Sequence, residues 1–120
     1  VFPEGTSTNG ETIQLFKTPL FEAPVEAKSD IQPLYLRYTK INGEPIETPE
    51  QRDKVCWYGD MNFGSHMLGL FALKSITVKI KAGELLNIRS FAVDKQNRKW
   101  IADKCYGIMN ELKDNIYDAS

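Results

Sequence analysis

Ile31-Gln32-Pro33-Leu34-Tyr35-Leu36-Arg37-Tyr38-Thr39 is the clearest strand in the chain. Apart from Arg37 it is apolar or aromatic on both faces, the pattern of a strand covered on both sides. Upstream, Thr18-Pro19 can cap and open a helix that turns Leu20, Phe21, Val25 and Ala27 inward. Pro24, read as lying beyond the first turn, removes a hydrogen bond, so this helix is expected to be kinked or short and to end near Ser29-Asp30. Farther upstream, Val1-Phe2 reads as the end of a strand stopped by Pro3, which has no N–H to donate. Strand, helix, strand is a crossover. It predicts a parallel pair and an α/β fold: a partial, mostly parallel sheet with flanking helices.

Downstream, 40–52 is polar, holds Asn42-Gly43 and two prolines, and reads as a loop in which Thr48-Pro49-Glu50 can start a short helix. Residues 63–73 form a compact apolar helix. Ser75-Ile76-Thr77-Val78-Lys79-Ile80-Lys81 alternates with period two, as a strand with one wet face does. A last helix starts near Asp94, where Ile101, Cys105, Ile108, Leu112 and Ile116 recur at spacings of four, three, four and four and make one apolar stripe. No repeat or low-complexity tract interrupts residues 1–120, which read as part of one domain.

The 120 residues are 42% hydrophobic and 11% aromatic, which argues for a folded module with a modest core. The formal charge of −1 gives no general pull toward nucleic acid. Residues 1–60 hold six basic and ten acidic side chains and residues 61–120 nine and six, so the second half is the one suited to an anionic surface. Two isolated cysteines, Cys56 and Cys105, and one histidine, His66, make no zinc pattern and suit a reducing compartment. No apolar run approaches the roughly 20 residues of a membrane-spanning helix. Ser7, Ser65 and Ser75 lack a nucleophile elbow, so a covalent hydrolase mechanism finds no support.

Chemistry concentrates in Phe2-Pro3-Glu4-Gly5-Thr6-Ser7. Glycine permits a concave turn in which the N–H groups of Gly5, Thr6 and Ser7 can converge on an anion, with hydroxyls as further donors. A plain connecting turn has the same composition. Lys17 can add a point charge, or be a solvated lysine; Arg37, on its apolar strand, needs a partner such as Glu4, Glu22 or Asp60. Trp57, Met61, Phe63, Met67, Leu70 and Phe71 read mainly as core, or else as an acyl-chain wall or membrane-facing patch beside Lys74, Lys79 and Lys81.

Phe2-Pro3-Glu4-Gly5-Thr6 resembles the phosphate-binding signature of the glycerolipid acyltransferases, which acylate lysophosphatidic acid and related lysophospholipids. Leu15-Phe16-Lys17-Thr18-Pro19-Leu20-Phe21, the strand at 31–38 and Trp57-Tyr58-Gly59-Asp60-Met61 are similar to later segments of that family. The resemblance implies acyl transfer from acyl-CoA or acyl carrier protein to a lysophospholipid hydroxyl, with no cofactor or metal, at a peripheral membrane surface on the cytoplasmic side. It makes Glu4, Gly5, Thr6 and Ser7 acceptor-binding residues, assisted by Lys17. Ser7 departs from the arginine many relatives place there. The family's His-x4-Asp pair is also missing, because five residues after His66 stands Phe71. The chain is therefore expected to be the carboxyl-terminal part of an acyltransferase domain, with no catalytic residue of its own. The alternative is a non-catalytic lipid- or membrane-binding module.

Overall fold

A computed structural model describes residues 1–116, as two compact units. The first comprises Val1–Gly5, Ile13–Tyr35 and the described residues from Lys81 onward; the second comprises Thr6–Thr12 and Leu36–Ile80.

In the first unit, a 3-10 turn at Thr18–Phe21 runs into α1 (Glu22–Glu26). The helix is as short as expected, and its geometry explains Pro24. Phe21, at φ −90° and ψ 0°, breaks the helical run, so α1 begins afresh at Glu22 and Pro24 falls in its first turn, where no N–H partner is lost. The long helix α4 (Lys95–Asn115) starts where the sequence places it, with the Asp94 side chain accepting from Asn97 N at 2.7 Å. Ile101, Cys105 and Ile108 of its apolar stripe are buried with Phe21, Val25, Leu86 and Ile88, and Leu112 packs against this core. Each such aliphatic side chain removed from water contributes about 1.5–3 kcal/mol.

The sheet corrects the expected topology. Val1 and Phe2 form no strand and are exposed, Phe2 at 93%. Strand β1 (Leu34–Ile41) pairs antiparallel with the two-residue β2 (Glu44–Pro45), and the order is β2-β1-β3 with β3 at Ile76–Ala82. The sheet is antiparallel rather than mostly parallel. The cause is Asn42-Gly43, with φ +52° and +83°: both residues are left-handed, as a two-residue hairpin turn requires. Asn42 then ties the hairpin to the start of β3, its N–H donating to Ser75 O at 2.8 Å and its Oδ1 accepting from Lys74 N at 2.7 Å.

The rest of the second unit holds α2 (Pro49–Asp53), capped reciprocally by Thr48 and Gln51, and α3 (Phe63–Phe71). The reading of 57–71 as mainly core is overturned, since α3 has no buried residue and Trp57, Phe63, Leu68 and Phe71 are exposed. Nor is β1 covered on both faces: Leu36 is exposed, as are Ile76, Val78 and Ile80 of β3.

Gly83 lies against α4, and a Cβ built on it would stand 2.6 Å from Ile108 Cγ2 and 3.3 Å from Leu112 Cδ1. A branched methyl in a packed core cannot retreat cheaply. Gly83→Ala is expected to destabilise the chain by about 1–3 kcal/mol in urea denaturation, and an unchanged midpoint would show that the helix is not seated so closely.

Candidate functional site

The candidate residues divide between the two units. Glu4, Gly5 and Lys17 belong to the first; Thr6 and Ser7 belong to the second.

Phe2-Pro3-Glu4-Gly5 is a β-turn in which Gly5 N donates to Phe2 O at 3.1 Å. Pro3 pre-sets the first central position, and Gly5 takes φ +70° as the chain leaves the turn. The Gly5 amide is thus engaged within the turn, and the amides left for an anion cradle are those of Thr6 and Ser7. Two bonds fasten the turn to the segment around Lys17: Glu4 Oε2 accepts from Gln14 N at 2.8 Å, and Lys17 N donates to Pro3 O at 2.8 Å. The Lys17 stem lies over Gly5, its Cγ 3.1 Å and Cε 3.5 Å from where a side chain at that glycine would begin. Lys17 itself is exposed and Glu4 is half-buried.

Aromatic packing on α4 positions this segment, a feature that sequence reasoning missed. The Phe16 ring meets Tyr106 edge-on at 5.4 Å and stacks with Phe21 at 6.2 Å, while Tyr106 Oη donates to Ile13 O at 3.2 Å. Nothing in the local pattern around Phe16 names a partner ninety residues away. The remaining arginines of this unit are engaged elsewhere, Arg98 with Glu22 at 3.1 Å and Arg89 with Asp30 at 3.0 Å.

In the second unit Thr6 and Ser7 are exposed and make no hydrogen bond among the described residues. The loop beyond them is fixed by its own side chains: Gly10 N donates to Thr8 Oγ1, Glu11 N to Asn9 Oδ1, and Glu11 pairs with Arg52 at 2.7 Å. Tyr58 donates to Asp53 Oδ1 at 2.7 Å, and that bond raises its phenol above the ordinary range. Arg37 is half-buried. His66 Nε2 stands 2.9 Å from Asp53 O; a carbonyl can only accept, so this nitrogen carries the proton and is held in a structural bond. Among the described residues no group of three or more metal-ligating side chains comes together, and no helix is long and apolar enough to cross a membrane.

The chain is 28% identical over 118 residues to the lyso-ornithine lipid O-acyltransferase of Rhizobium meliloti, covering 92% of this chain and 40% of that protein. It is 29% identical over 109 residues to the protein of the same name from Brucella abortus, covering 85% and 39%. To that of Rhodobacter capsulatus it is 37% identical over 70 residues, covering 55% and 23%. The chain thus spans at most 40% of the length of these relatives. No family model and no solved structure matches it.

Two outcomes test the local structure. Gly5→Ala forces a side chain into the left-handed region and against the Lys17 stem, so a loss of about 1–2 kcal/mol is expected in denaturant unfolding; no loss would mean that the turn relaxes freely. Both thiols are free. Burial pushes Cys105 up to about 11, while half-buried Cys56 is raised by burial first and by Asp53 next. Because only the thiolate reacts, roughly 0.1% of Cys105 is reactive at pH 8. Iodoacetamide should label Cys56 ahead of Cys105 in the folded chain and both alike in concentrated urea, read by peptide mass spectrometry.

Proposed function

We propose, from the similarity to lysolipid O-acyltransferases, that the whole protein transfers an acyl group from a thioester donor, acyl-CoA or acyl carrier protein, to the hydroxyl of a lysolipid. The observation that carries this reading is the 28% identity to a lysolipid O-acyltransferase over 92% of the chain. In the reaction the acceptor oxygen attacks the thioester carbonyl, the carbon–sulfur bond breaks, an ester forms, and the thiol leaves with the proton taken from the hydroxyl. A base must carry that proton. His66 is held by Asp53 O and has no carboxylate at the family spacing, so these 120 residues serve the acceptor and the base belongs to another part of the whole protein. In this proposal Glu4, Gly5 and Lys17 are the acceptor-binding residues of the first unit, and Thr6 and Ser7 those of the second.

A second reading, a lipid- or membrane-binding module without catalysis, draws on one observation. Helix α3 carries no Asp, Glu, Lys or Arg and exposes Leu68 at 73% and Phe71 at 79%, and Lys74 follows it. Both readings place a peripheral membrane surface, on the cytoplasmic side, against this helix.

An amide-resolved NMR titration with lysolipid below its micelle concentration separates them, with glycerol 3-phosphate and plain detergent as controls. Shifts at Gly5, Thr6, Ser7 and Lys17 that detergent does not reproduce are expected. Shifts confined to 57–71 and shared with detergent would leave only a membrane-contact surface. The 120-residue chain alone is expected to show no acyl transfer.

A further inference from the structure

We propose that Arg52 and Tyr58 are positioning residues of the acceptor site: gripping Glu11 and Asn9, they hold in place the loop that carries the Thr6 and Ser7 amides. The assignment rests on the acyltransferase reading above and adds to it two side chains outside the signature string.

All the parts belong to the second unit, in which Thr6–Thr12 groups with Leu36–Ile80. The Gly5 amide is spent on Phe2 O, so the open donors are those of Thr6 and Ser7, which are exposed and make no hydrogen bond among the described residues. What places them is the loop that follows. Arg52 Nη2 meets Glu11 Oε1 at 2.7 Å. Exposed ion pairs usually contribute little, but this guanidinium is only 21% exposed and its Nε is buried with no partner among the described residues, so Glu11 is what offsets its charge. Asn9 is held three ways. Its Oδ1 accepts from Glu11 N at 3.0 Å, its carbonyl accepts from Cys56 Sγ at 3.8 Å, and its side-chain amide donates to Tyr58 Oη.

The gripping side chains are themselves fixed. Arg52 sits on α2, whose start is locked by the reciprocal Thr48–Gln51 cap, and Tyr58 Oη donates to Asp53 Oδ1 of the same helix at 2.7 Å. Trp57-Tyr58-Gly59-Asp60-Met61 closes on itself around this tyrosine: Trp57 Nε1 donates to Met61 O at 2.9 Å, Met61 N donates to Tyr58 O at 3.3 Å, and Gly59 turns the chain with φ +60°. Neither core packing nor membrane contact accounts for that closed turn. Its phenol bridges α2 and the loop, so the turn acts as the far jaw of a clamp. Amides held in this way before the ligand arrives lose less freedom when it binds, which strengthens binding without any new contact.

The test measures kcat and KM of the whole protein with palmitoyl-CoA or palmitoyl acyl carrier protein as donor and lyso-ornithine lipid or lysophosphatidic acid as acceptor. The unaltered protein is compared with Arg52→Gln, with Tyr58→Phe and with the exchange of Arg52→Glu and Glu11→Arg together. Loosening the loop should raise KM for the acceptor about tenfold in Arg52→Gln and in Tyr58→Phe, with kcat and the donor KM within about twofold, and the exchange should recover most of the loss. Amide hydrogen exchange, read by mass spectrometry, should quicken in a peptide covering 6–12 and stay unchanged in one covering α4. Tyr58→Phe removes one oxygen and keeps the ring, so it carries the test should Arg52→Gln fail to fold. An unchanged acceptor KM in Tyr58→Phe, or a fall in kcat with both KM values rising together, would overturn the positioning role and leave the acyltransferase reading standing. Turnover of neither acceptor with either donor by the unaltered protein would overturn both.

Discussion

Burial of one face of α4 is the constraint on which the first unit depends. Ile101 is fully excluded from solvent, as are Ile88 and Ile116, and the unit's apolar side chains collect around that stripe. The same helix reaches the candidate site through Tyr106, which supports Phe16 with its ring and Ile13 with its hydroxyl. From there the order of support runs outward: the segment Ile13–Lys17 is held on the helix, and it in turn holds the Phe2–Gly5 turn through the Glu4 carboxylate and the Pro3 carbonyl. A turn on the surface thus gains its geometry from a buried helix, because a segment whose backbone is already fixed has less conformational entropy left to lose.

The second unit is built differently. Ile41 and Val55 are its buried apolar side chains among the described residues, and much of its remaining apolar surface faces outward, on α3 and on one face of β1 and β3. Polar bonds do more of the local work there: the Thr48–Gln51 capping box, the Asn42 bonds to Lys74 and Ser75, and the Arg52–Glu11 ion pair. Such bonds define turns well but contribute modestly to stability, about 0.5–1.5 kcal/mol each.

The proposed chemistry follows from what surrounds a few polar atoms. His66 has the right side chain for a base, yet its Nε2 is spent on a backbone carbonyl. Glu4 is an ordinary surface type, yet its Oε2 is engaged by the Gln14 amide and so fastens the turn to the segment before Lys17. Residue type proposes a role; the partner of each atom decides whether that role is open.

The sequence by itself determined the elements whose signals are local. The Asp94 cap and the four-and-three spacing of Ile101, Cys105, Ile108 and Leu112 defined α4, Thr48-Pro49 defined α2, and the alternation of Ile76, Val78 and Ile80 defined β3, because capping and periodicity act within a few residues. The string Phe2–Thr6 likewise pointed to the acyltransferase resemblance that the relatives support. Period two is the same in parallel and antiparallel pairs, so strand direction lay in the turn: Asn42-Gly43, read from the sequence only as part of a loop, takes left-handed geometry and closes a hairpin. The tertiary structure alone decided that α3 lies exposed, because an apolar run states a tendency to be buried but not whether a partner is present. The placement of Lys17 over Gly5, and of Tyr106 against Phe16, also belonged to the tertiary structure, since contacts between distant segments leave no trace in local pattern.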